Sequence, residues 1–174
     1  MIGKLKRWIF NREFHSDIKK DLPHRVIVNP VKNIGIIYNL NIDNQDLTYI
    51  NKFIDKIIDS GKKVVTLSFQ NTKRTNQENQ NPTYYSSDIT WYGVPKHNDI
   101  TSFTDQDLDL LILLPNTYAP HFEYIIRKSN AKFKVGFSSA KVGKFLNLII
   151  ESYNEDPISQ RIHKLIKILT SISQ

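Results

Sequence analysis

The stretch RKSNAKFKVGFSSAKVGK, residues 127–144, is the first place where residue types suggest chemistry, because it sets Lys and Arg beside small residues and two glycines. Gly136 and Gly143 do not form a phosphate loop, since neither the GxxxxGK(S/T) nor the GxGxxG spacing occurs. Lys134 interrupts an otherwise apolar strand. Either it lies on an exposed strand face near the sheet edge, or its cation faces the phosphate or carboxylate of a ligand. The rest of the stretch is interpreted as the end of one helix and the start of one strand.

Nucleophiles, carboxylates and histidines elsewhere form no convincing catalytic or metal-binding set. Ser138 and Ser139 have no identifiable His and Asp partners, so nucleophilic catalysis is unsupported. Asp105, Asp107 and Asp109 alternate before a strand. They either meet a hard cation or form a capped, solvated turn, which is the commoner use of such residues. The histidines lack a zinc-like spacing, and each is interpreted as a surface or helix residue: His15, His24, His97, His121 and His163. We therefore predict no catalytic residue, no metal site and no cofactor.

A strand, a helix and a second strand follow one another near the start of the domain. NIGIIYN, residues 33–39, is apolar on both faces, as a central parallel strand is. Asp43 or Asn44 can cap the next helix, and Gly61 can end it in the left-handed conformation that glycine tolerates. KVVTLSF, residues 63–69, then predicts a second strand. This order is typical of a βαβ unit with parallel strands.

Later segments continue the alternation of strands and helices. Thr117 is predicted to cap a helix that runs through Ser129, and Asp156 followed by proline starts the last helix. That helix has one continuous apolar face, formed by Ile158, Ile162, Leu165, Leu169 and Ile172. Further short strands are predicted within 84–95 and at 108–114, 132–137 and 147–152. The alternation predicts a three-layer α/β fold, a Rossmann-like open, mainly parallel sheet with helices on both faces.

Polar residues dominate the segment after the second strand. Residues 70–83 include four Asn and three Gln and cannot bury enough apolar surface to offset the entropy of ordering them. A mobile polar loop is therefore predicted, over about residues 70–86. Four aromatic residues are close together in the next segment: Tyr84, Tyr85, Trp91 and Tyr92. They either pack around a short strand or stack on a sugar or base, and packing is the commoner role.

In an open parallel sheet, ligands collect beyond the carboxyl ends of the strands, near the point where the strand order reverses. The residues predicted at that edge are neutral and suited to hydrogen bonding: Asn39, Asn41, Gln70, Asn116, Tyr118, Gly136, Ser138 and Ser139. Lys134 is added as a candidate cation. We interpret all of them as ligand-binding candidates, because they include no convincing acid, base or nucleophile.

The net charge of +7 is concentrated at the N-terminus, where residues 1–33 hold eight Lys or Arg against three acids. Apolar residues recur there at roughly helical spacing: Ile2, Leu5, Ile9, Phe14, Ile18 and Leu22. This pattern predicts a basic amphipathic helix over residues 1–22. Its apolar face either docks on the domain or, with Trp8 and Phe10 beside basic residues, contacts an anionic membrane surface. Nucleic acid is a less favoured partner.

The 174-residue chain suits one domain with a full core and is too short for two. We assign residues 1–30 to the helical arm and linker, and residues 31–174 to a single domain. No apolar run approaches the roughly 20 residues that a membrane span needs, and the chain has no cysteine. A soluble cytoplasmic protein is therefore expected, since the lack of cysteine suits a reducing compartment and no cleavage site follows the basic N-terminal segment.

Residues 103–137, FTDQDLDLLILLPNTYAPHFEYIIRKSNAKFKVGF, resemble a family of small proteins of unknown function found in Bacteroidetes-type bacteria. The family pattern is a Leu-Asp-Leu-Leu-Ile strand at 108–112, a helix that ends in Ser-x-Ala at 129–131, and Lys-Phe-Lys-Val-Gly at 132–136. The basic first helix, the IGIIYNL strand and the closing helix extend the resemblance over nearly all of the chain. It implies no established activity.

The same order over residues 109–136 is also similar to the acceptor-side half of heptosyltransferase-type glycosyltransferases. Those enzymes bind a nucleotide sugar in a second Rossmann-like domain, for which this chain has no room. The leading prediction is thus a non-catalytic α/β domain that binds a small ligand or a protein partner. The alternatives are a degenerate or partner-completed glycosyltransferase-like enzyme, and a protein that attaches to a membrane surface or to nucleic acid through its basic N-terminal helix.

Overall fold

The structure is a computed structural model of the chain, and it describes residues 2–12, 30–74, 81–138, 142–153 and 155–172. Within these ranges, the strands form one sheet in which every neighbouring pair is parallel. The strands are β1 Asn33–Asn39, β2 Lys63–Gln70, β3 Thr83–Tyr85, β4 Leu110–Leu113, β5 Phe133–Phe137 and β6 Leu148–Ile150. Their order across the sheet is β3-β2-β1-β4-β5-β6. This is the strand order of the Rossmann fold, and it reverses direction between β1 and β4.

Helices cover both faces of the sheet. Those in the described ranges are α1 Ile2–Arg12, α2 Asn44–Asp59, α3 Asn98–Thr104, α4 Pro120–Lys128 and α5 Ile158–Ile172. Side chains of α2 and α5 pack on one face, against residues such as Ile36 and Ile112. Side chains of α3 and α4 pack on the other face, against Ile37 and Leu111. Alternate residues of the central strands therefore fill two separate cores, and the predicted three-layer Rossmann-like fold is confirmed.

The ends of α2 follow the predicted capping signals. Asp43 is the N-cap, and its carboxylate accepts a 2.7 Å hydrogen bond from the Asp46 backbone amide. Gly61 adopts a φ of +79° just after the helix, a conformation that residues with a Cβ rarely take. Local signals at both ends therefore fix the length of α2, and with it the point where β2 begins.

Two features of the α3/α4 face differ from the sequence prediction. Thr117 does not cap α4, because the helix begins at Pro120, where proline fixes the helical φ and needs no amide partner. The sequence signals also do not indicate the short helix α3. Its N-cap is His97, whose Nδ1 accepts a 3.2 Å hydrogen bond from the Asp99 amide. Histidine is not among the usual capping residues, so the start of α3 has no ordinary signal.

The polar loop predicted over about 70–86 belongs only partly to the described residues, since 75–80 lie outside them. Its last residues enter the sheet as β3, with Tyr84 beside Phe69 of β2. Tyr84 is fully buried, whereas Trp91 is 57% exposed. Packing in the sheet therefore accounts for Tyr84, while Trp91 lies on the surface.

α1 packs against α4 and the loop that precedes α3. Phe10 is 1% exposed and clusters with Val94. Arg7 donates two hydrogen bonds, of 2.9 and 3.0 Å, to the buried carboxylate of Glu123 on α4. The described part of the N-terminal arm therefore docks on the domain, as one of the two alternatives proposes. The rest of the predicted helix, residues 13–22, lies outside the described residues.

Candidate functional site

The carboxyl ends of β1 and β4 meet at the point where the strand order reverses. Leu114 follows β4, and its amide donates a 3.0 Å hydrogen bond to the Ile37 carbonyl of β1. Segments rich in polar residues leave the sheet beside this point, as residues 39–43 after β1 and 115–118 after β4. In a doubly wound sheet, the crevice at this position is where ligands usually bind. We call it the switch crevice.

Arg161, in the first turn of α5, is a buried charged side chain at the switch crevice, and it is only 7% exposed. Its Nη1 donates to the Leu114 carbonyl, and its Nε donates a 3.2 Å hydrogen bond to the Asp156 carbonyl. The guanidinium carbon lies 5.7 Å from the centre of the Phe137 ring, at the end of β5. These contacts place a cation over the carboxyl ends of β4 and β5, next to β1.

Nearby protein groups balance the charge of Arg161 only weakly. Both of its hydrogen-bond acceptors are neutral carbonyl oxygens, and no carboxylate of the described residues lies within 4.0 Å of its guanidinium nitrogens. Burial lowers the pKa of Arg161, while the more distant carboxylates of Asp46 and Asp156 act in the opposite direction. Nη2 donates to no residue in the described ranges. A guanidinium with these surroundings can bind an anion, because a hydrogen bond between two charged groups is stronger than one to a neutral carbonyl.

The loops that follow β5 and β6 are held together by hydrogen bonds between their own polar groups. The Asp156 carboxylate accepts hydrogen bonds from Lys164 Nζ at 2.9 Å and from the Tyr153 amide at 3.1 Å. The bond from Lys164 is the main cause that lowers the pKa of Asp156. Ser138 Oγ donates to the Ser152 carbonyl at 3.2 Å and accepts from the Ser152 amide at 3.1 Å. This side of the crevice is therefore built from groups that already have partners.

Several predicted candidates lie at this edge of the sheet: Asn39, Asn41, Gln70, Asn116 and Ser138. Asn41 Oδ1 accepts a hydrogen bond from the Asn71 amide, which joins the loops after β1 and β2. Asn116 Nδ2 donates a 3.4 Å hydrogen bond to the Tyr153 carbonyl. Asn39 differs from these, because its Oδ1 is buried and has no hydrogen-bond partner among the described residues.

Two other candidates, Tyr118 and Gly136, make contacts within the protein, and a third, Ser139, lies outside the described residues. The Tyr118 hydroxyl donates a 2.8 Å hydrogen bond to the Glu123 carboxylate and so belongs to the contact between α1 and α4. Gly136 lies under close packing, since a Cβ at this position would be 2.9 Å from Leu146 Cδ1. The ligand roles of these residues remain predictions of the sequence.

Lys134 lies away from the switch crevice, and its predicted place on an exposed strand face near the sheet edge is wrong. β5 runs between β4 and β6, and Lys134 is paired with Leu111 near the amino ends of these strands. Its side chain is buried, with 7% exposed. Nζ donates to the carbonyls of Ile126 and Ser129, at 2.7 and 2.9 Å. Lys134 therefore caps the end of α4, where the last helical carbonyls lack backbone partners.

A second buried polar pair lies on the α3/α4 face. His121 is a helix residue, as predicted, but it is buried, and its Nδ1 is 2.8 Å from the Tyr84 hydroxyl. Its ring centre lies 4.4 Å from that of Phe69 and 4.2 Å from that of Phe122. Burial lowers the pKa of His121 to about 4 and raises the pKa of Tyr84. His121 is therefore neutral at pH 7 and forms part of the core.

Asp109, the last of the three alternating acids, holds the amino edge of the sheet together. Its Oδ2 accepts hydrogen bonds from the amides of Lys32 and Asn33, both at 2.9 Å. Its Oδ1 accepts a 2.8 Å hydrogen bond from Lys132 Nζ. The bond from Lys132, followed by those from the two amides, lowers the pKa of Asp109 to about 2. These contacts favour the capped turn over a cation site, and no group of three metal-binding side chains occurs in the described ranges.

Arg161 has a signal in the sequence that the prediction overlooked. Ile158, Ile162 and Leu165 mark the apolar face of α5, and Arg161 occupies the i+3 position of the same face. A charged residue in an apolar stripe indicates a buried charge, which proteins rarely bury without a partner. The sequence signal for Asn39 is weaker. Alternation along β1 predicts which face of the sheet its side chain lies on, but it does not predict that Oδ1 lacks a hydrogen-bond donor.

Comparisons with known proteins give a family and no activity. Within the described residues, no helix has both the length and the apolar character needed to cross a membrane. A comparison with curated proteins found no match, and a comparison with solved structures found none either. A family of unknown function matches residues 4–172, from the first turn of α1 to the end of α5. The chain therefore belongs to this family of unknown function, DUF6913.

Proposed function

We propose that the domain is a non-catalytic binding module for a small hydroxylated anion, held in the switch crevice between β1 and β4. The observation that carries the proposal is the buried Arg161 guanidinium, which has neutral acceptors, no close carboxylate and an unbonded Nη2 among the described residues. A phosphate or carboxylate oxygen at Nη2 would form a charge-assisted hydrogen bond and offset the cost of burying the cation.

Asn39 supplies a second recognition group. Its buried Oδ1 has no donor among the described residues, and an unpaired buried acceptor costs roughly 1–3 kcal/mol. The register of β1 with β4 pairs Ile37 with Leu113. Asn39, two residues after Ile37, therefore lies beside the segment that follows β4. Arg161 donates a hydrogen bond to the Leu114 carbonyl in that segment. By strand alternation Asn39 shares the α3/α4 face with Ile37, whereas Arg161 belongs to α5 on the other face, so a ligand that donates a hydroxyl to Asn39 and places its anionic group at Arg161 must lie across the end of the sheet. The ligand is therefore proposed to carry both groups.

The loop after β1 argues against a dinucleotide. Residues 39–43 read Asn-Leu-Asn-Ile-Asp without glycine, so the backbone lacks the close approach to a pyrophosphate that GxGxxG loops provide. The carboxylate of Asp43 also occupies the N-terminus of α2, where the pyrophosphate would bind. A compact sugar phosphate suits the site better. The resemblance of residues 109–136 to heptosyltransferase-type glycosyltransferases points to the same class, but it is a prediction of the sequence alone, since no curated protein or solved structure matches the chain.

The described groups around the crevice favour binding over turnover. His121 is buried and engaged with Tyr84, and its lowered pKa of about 4 leaves it a weak base. Asp156 is held by Lys164. The N-terminal alternative has one observation in its favour, because Trp8 is 58% exposed on the docked α1. A membrane contact through residues 1–22 stays a prediction of the sequence.

Isothermal titration calorimetry of the full-length chain with a hexose 1-phosphate, inorganic phosphate and an uncharged hexose tests the proposal. We expect the hexose phosphate to bind most tightly and the uncharged hexose to give no heat. Arg161→Gln should weaken phosphate binding by about tenfold or more, since a charge-assisted bond is replaced by a neutral one. Lys167→Gln, on the exposed side of the same helix, is the matched control and should bind as the wild type does.

Thermal melts separate a binding defect from a folding defect. A ligand at 100 times its Kd should raise the unfolding free energy of the wild type by about 2.7 kcal/mol, and this gain should be missing in Arg161→Gln. If Arg161→Gln does not fold, Asn39→Asp replaces it, because a carboxylate there repels an anion. Failure of the wild type to bind any of the anions, or unchanged binding by the variants, refutes the proposal. Turnover of a nucleotide sugar would instead support the glycosyltransferase-like alternative.

A further inference from the structure

An apolar groove opens at the other end of the α2/α5 layer, over the amino ends of β1 and β4. Its volume is about 440 Å³, within the range of small-molecule pockets. The floor and walls are aliphatic and aromatic, with Ile34, Phe53, Leu110, Ile112, Ile166 and Leu169 among the lining residues. The groove lies at the opposite end of the strands from Arg161, so it is a separate site from the switch crevice.

The groove exists because α5 loses its close packing toward its C-terminal end. Ile158, at the start of α5, and Leu165, in its middle, are 3% and 0% exposed. Ile166 and Leu169, on the later turns of the same apolar face, are only half-buried. On α2, Ile58 is 50% exposed near the helix end. An apolar surface that a folded domain leaves open in this way is a common mark of a binding site.

The charges at the rim of the groove have one sign. Lys56 and Lys62 line it, and the lining set of described residues contains no Asp or Glu. Neither lysine forms an ion pair or a side-chain hydrogen bond with another described residue. The hydroxyl-bearing residues Ser60 and Thr170 also line the groove. An apolar interior with an unpaired cationic rim is complementary to a hydrocarbon chain that ends in an anion.

We propose that this groove binds a medium-chain fatty acid, with the alkyl chain on the floor made by β1 and β4 and the carboxylate at Lys56 and Lys62. The size of the groove supports a small amphiphile over a protein partner, since a stable protein interface buries about 800 Å² on each side. The rim supports a carboxylate over a neutral or cationic head group. The proposal is independent of the function assigned to the switch crevice.

Calorimetry of the full-length chain with dodecanoate, below its micelle concentration, tests the proposal directly. We expect saturable binding at one site. Decanoate should bind about 15-fold more weakly, because each buried methylene contributes about 0.8 kcal/mol. Dodecyltrimethylammonium should bind more weakly than dodecanoate, since it carries the same chain and the opposite charge. Equal binding of the two head groups, or no binding of dodecanoate, overturns the proposal.

Variants on the two helices locate the site. Leu169→Trp fills the groove and should weaken dodecanoate binding by about tenfold or more, whereas Lys167→Trp, on the exposed side of α5, should not. Reversal of the rim charge by Lys56→Glu with Lys62→Glu should also weaken binding, and Lys52→Glu on the same helix as Lys56 is its control. Binding that survives both groove variants would show that dodecanoate binds elsewhere and would overturn the proposal. A hexose 1-phosphate should not displace bound dodecanoate, which separates this site from the switch crevice.

Discussion

The amino ends of the strands form one boundary of the sheet, here the amino edge, and the carboxyl ends form the other, the carboxyl edge. A charged side chain lies at each, and the two differ in how that charge is balanced. At the amino edge, Asp109 accepts hydrogen bonds from two backbone amides and pairs with Lys132 at 2.8 Å. At the carboxyl edge, Arg161 donates to two backbone carbonyls and has no carboxylate within 4.0 Å among the described residues. Both side chains connect backbone segments, but only the charge of Asp109 is neutralised. Among the described residues, the charge without a close counter-ion therefore lies at the carboxyl edge.

The α2/α5 layer is packed tightly near the carboxyl edge and loosely near the amino edge, so its open surface lies away from the charge that lacks a close counter-ion. Near the carboxyl edge, the first turns of α5 are buried against the sheet, while near the amino edge the same helix leaves a groove of about 440 Å³. The two proposals accordingly place a polar ligand at one end of the layer and an apolar ligand at the other. The contrast shows that one helix can serve both ends, since its first turns supply a buried cation and its last turns supply an open apolar wall.

Shortening of two side chains on the apolar face of α5, one in the middle of the helix and one toward its C-terminal end, should have the largest effect on stability. Leu165→Ala removes a fully buried side chain and should lower the unfolding free energy by about 3 kcal/mol. Leu169→Ala removes a half-buried side chain from the groove wall and should cost about 1 kcal/mol, because less surface returns to water and no closed cavity forms. Urea denaturation measures both. Equal losses for the two variants would show that the groove end of α5 is packed as tightly as its middle.

The layers and strands of this fold can be predicted from patterns within short stretches of the sequence. β1 and β4 are apolar runs, which are typical of strands buried on both faces inside a parallel sheet. Asp43 and Gly61 mark the ends of α2 with residue types that suit those backbone positions. Local chemistry is enough for such elements, because the signal and the structure lie within a few residues of each other.

The positions of several buried polar side chains depend on contacts between different elements of the fold, and sequence patterns do not show these. Lys134 looks like an exposed cation in a strand, but its Nζ reaches back to two carbonyls at the end of α4, those of Ser129 and Ile126, within 3 Å. The burial of His121 likewise requires Tyr84, which is 37 residues away along the chain. Arg161 is intermediate, since its place in an apolar stripe is visible in the sequence while its acceptor, the Leu114 carbonyl, is not.

Asp109→Asn tests the amino edge, where the charge is paired, and should have an intermediate effect on the unfolding free energy. The variant keeps the shape of the side chain but loses the ion pair with Lys132 and weakens two backbone hydrogen bonds, so we expect a loss of about 1–2 kcal/mol at pH 7. The pKa of Asp109 is about 2 in the folded protein, below its ordinary value of 3.8. Its contribution is therefore present above about pH 3.8 and is lost as the pH falls toward 2.

Urea denaturation at a series of pH values checks this expectation. The difference in unfolding free energy between the wild type and Asp109→Asn should be constant from pH 7 to about pH 4 and should shrink below that. The control is Asp105→Asn, which neutralises an exposed acid at the end of α3 and should change the unfolding free energy at pH 7 by less than about 0.5 kcal/mol. A difference that persists undiminished at pH 2 would mean that the ionised carboxylate is not what holds the amino edge.

Reversal of the groove charges should have the smallest effect on stability. Lys56 and Lys62 have no ion pair or side-chain hydrogen bond to another described residue, so Lys56→Glu with Lys62→Glu should change the unfolding free energy by less than about 0.5 kcal/mol for each substitution. Part of that change is expected at Lys56, because a positive charge in the last turn of α2 interacts favourably with the helix dipole. Urea denaturation in the absence of added amphiphile measures it. A loss of unfolding free energy comparable to that of Asp109→Asn would show that the two lysines stabilise the fold rather than bind a ligand. The contrast between Asp109, whose charge is paired inside the protein, and lysines available to a ligand would then be lost.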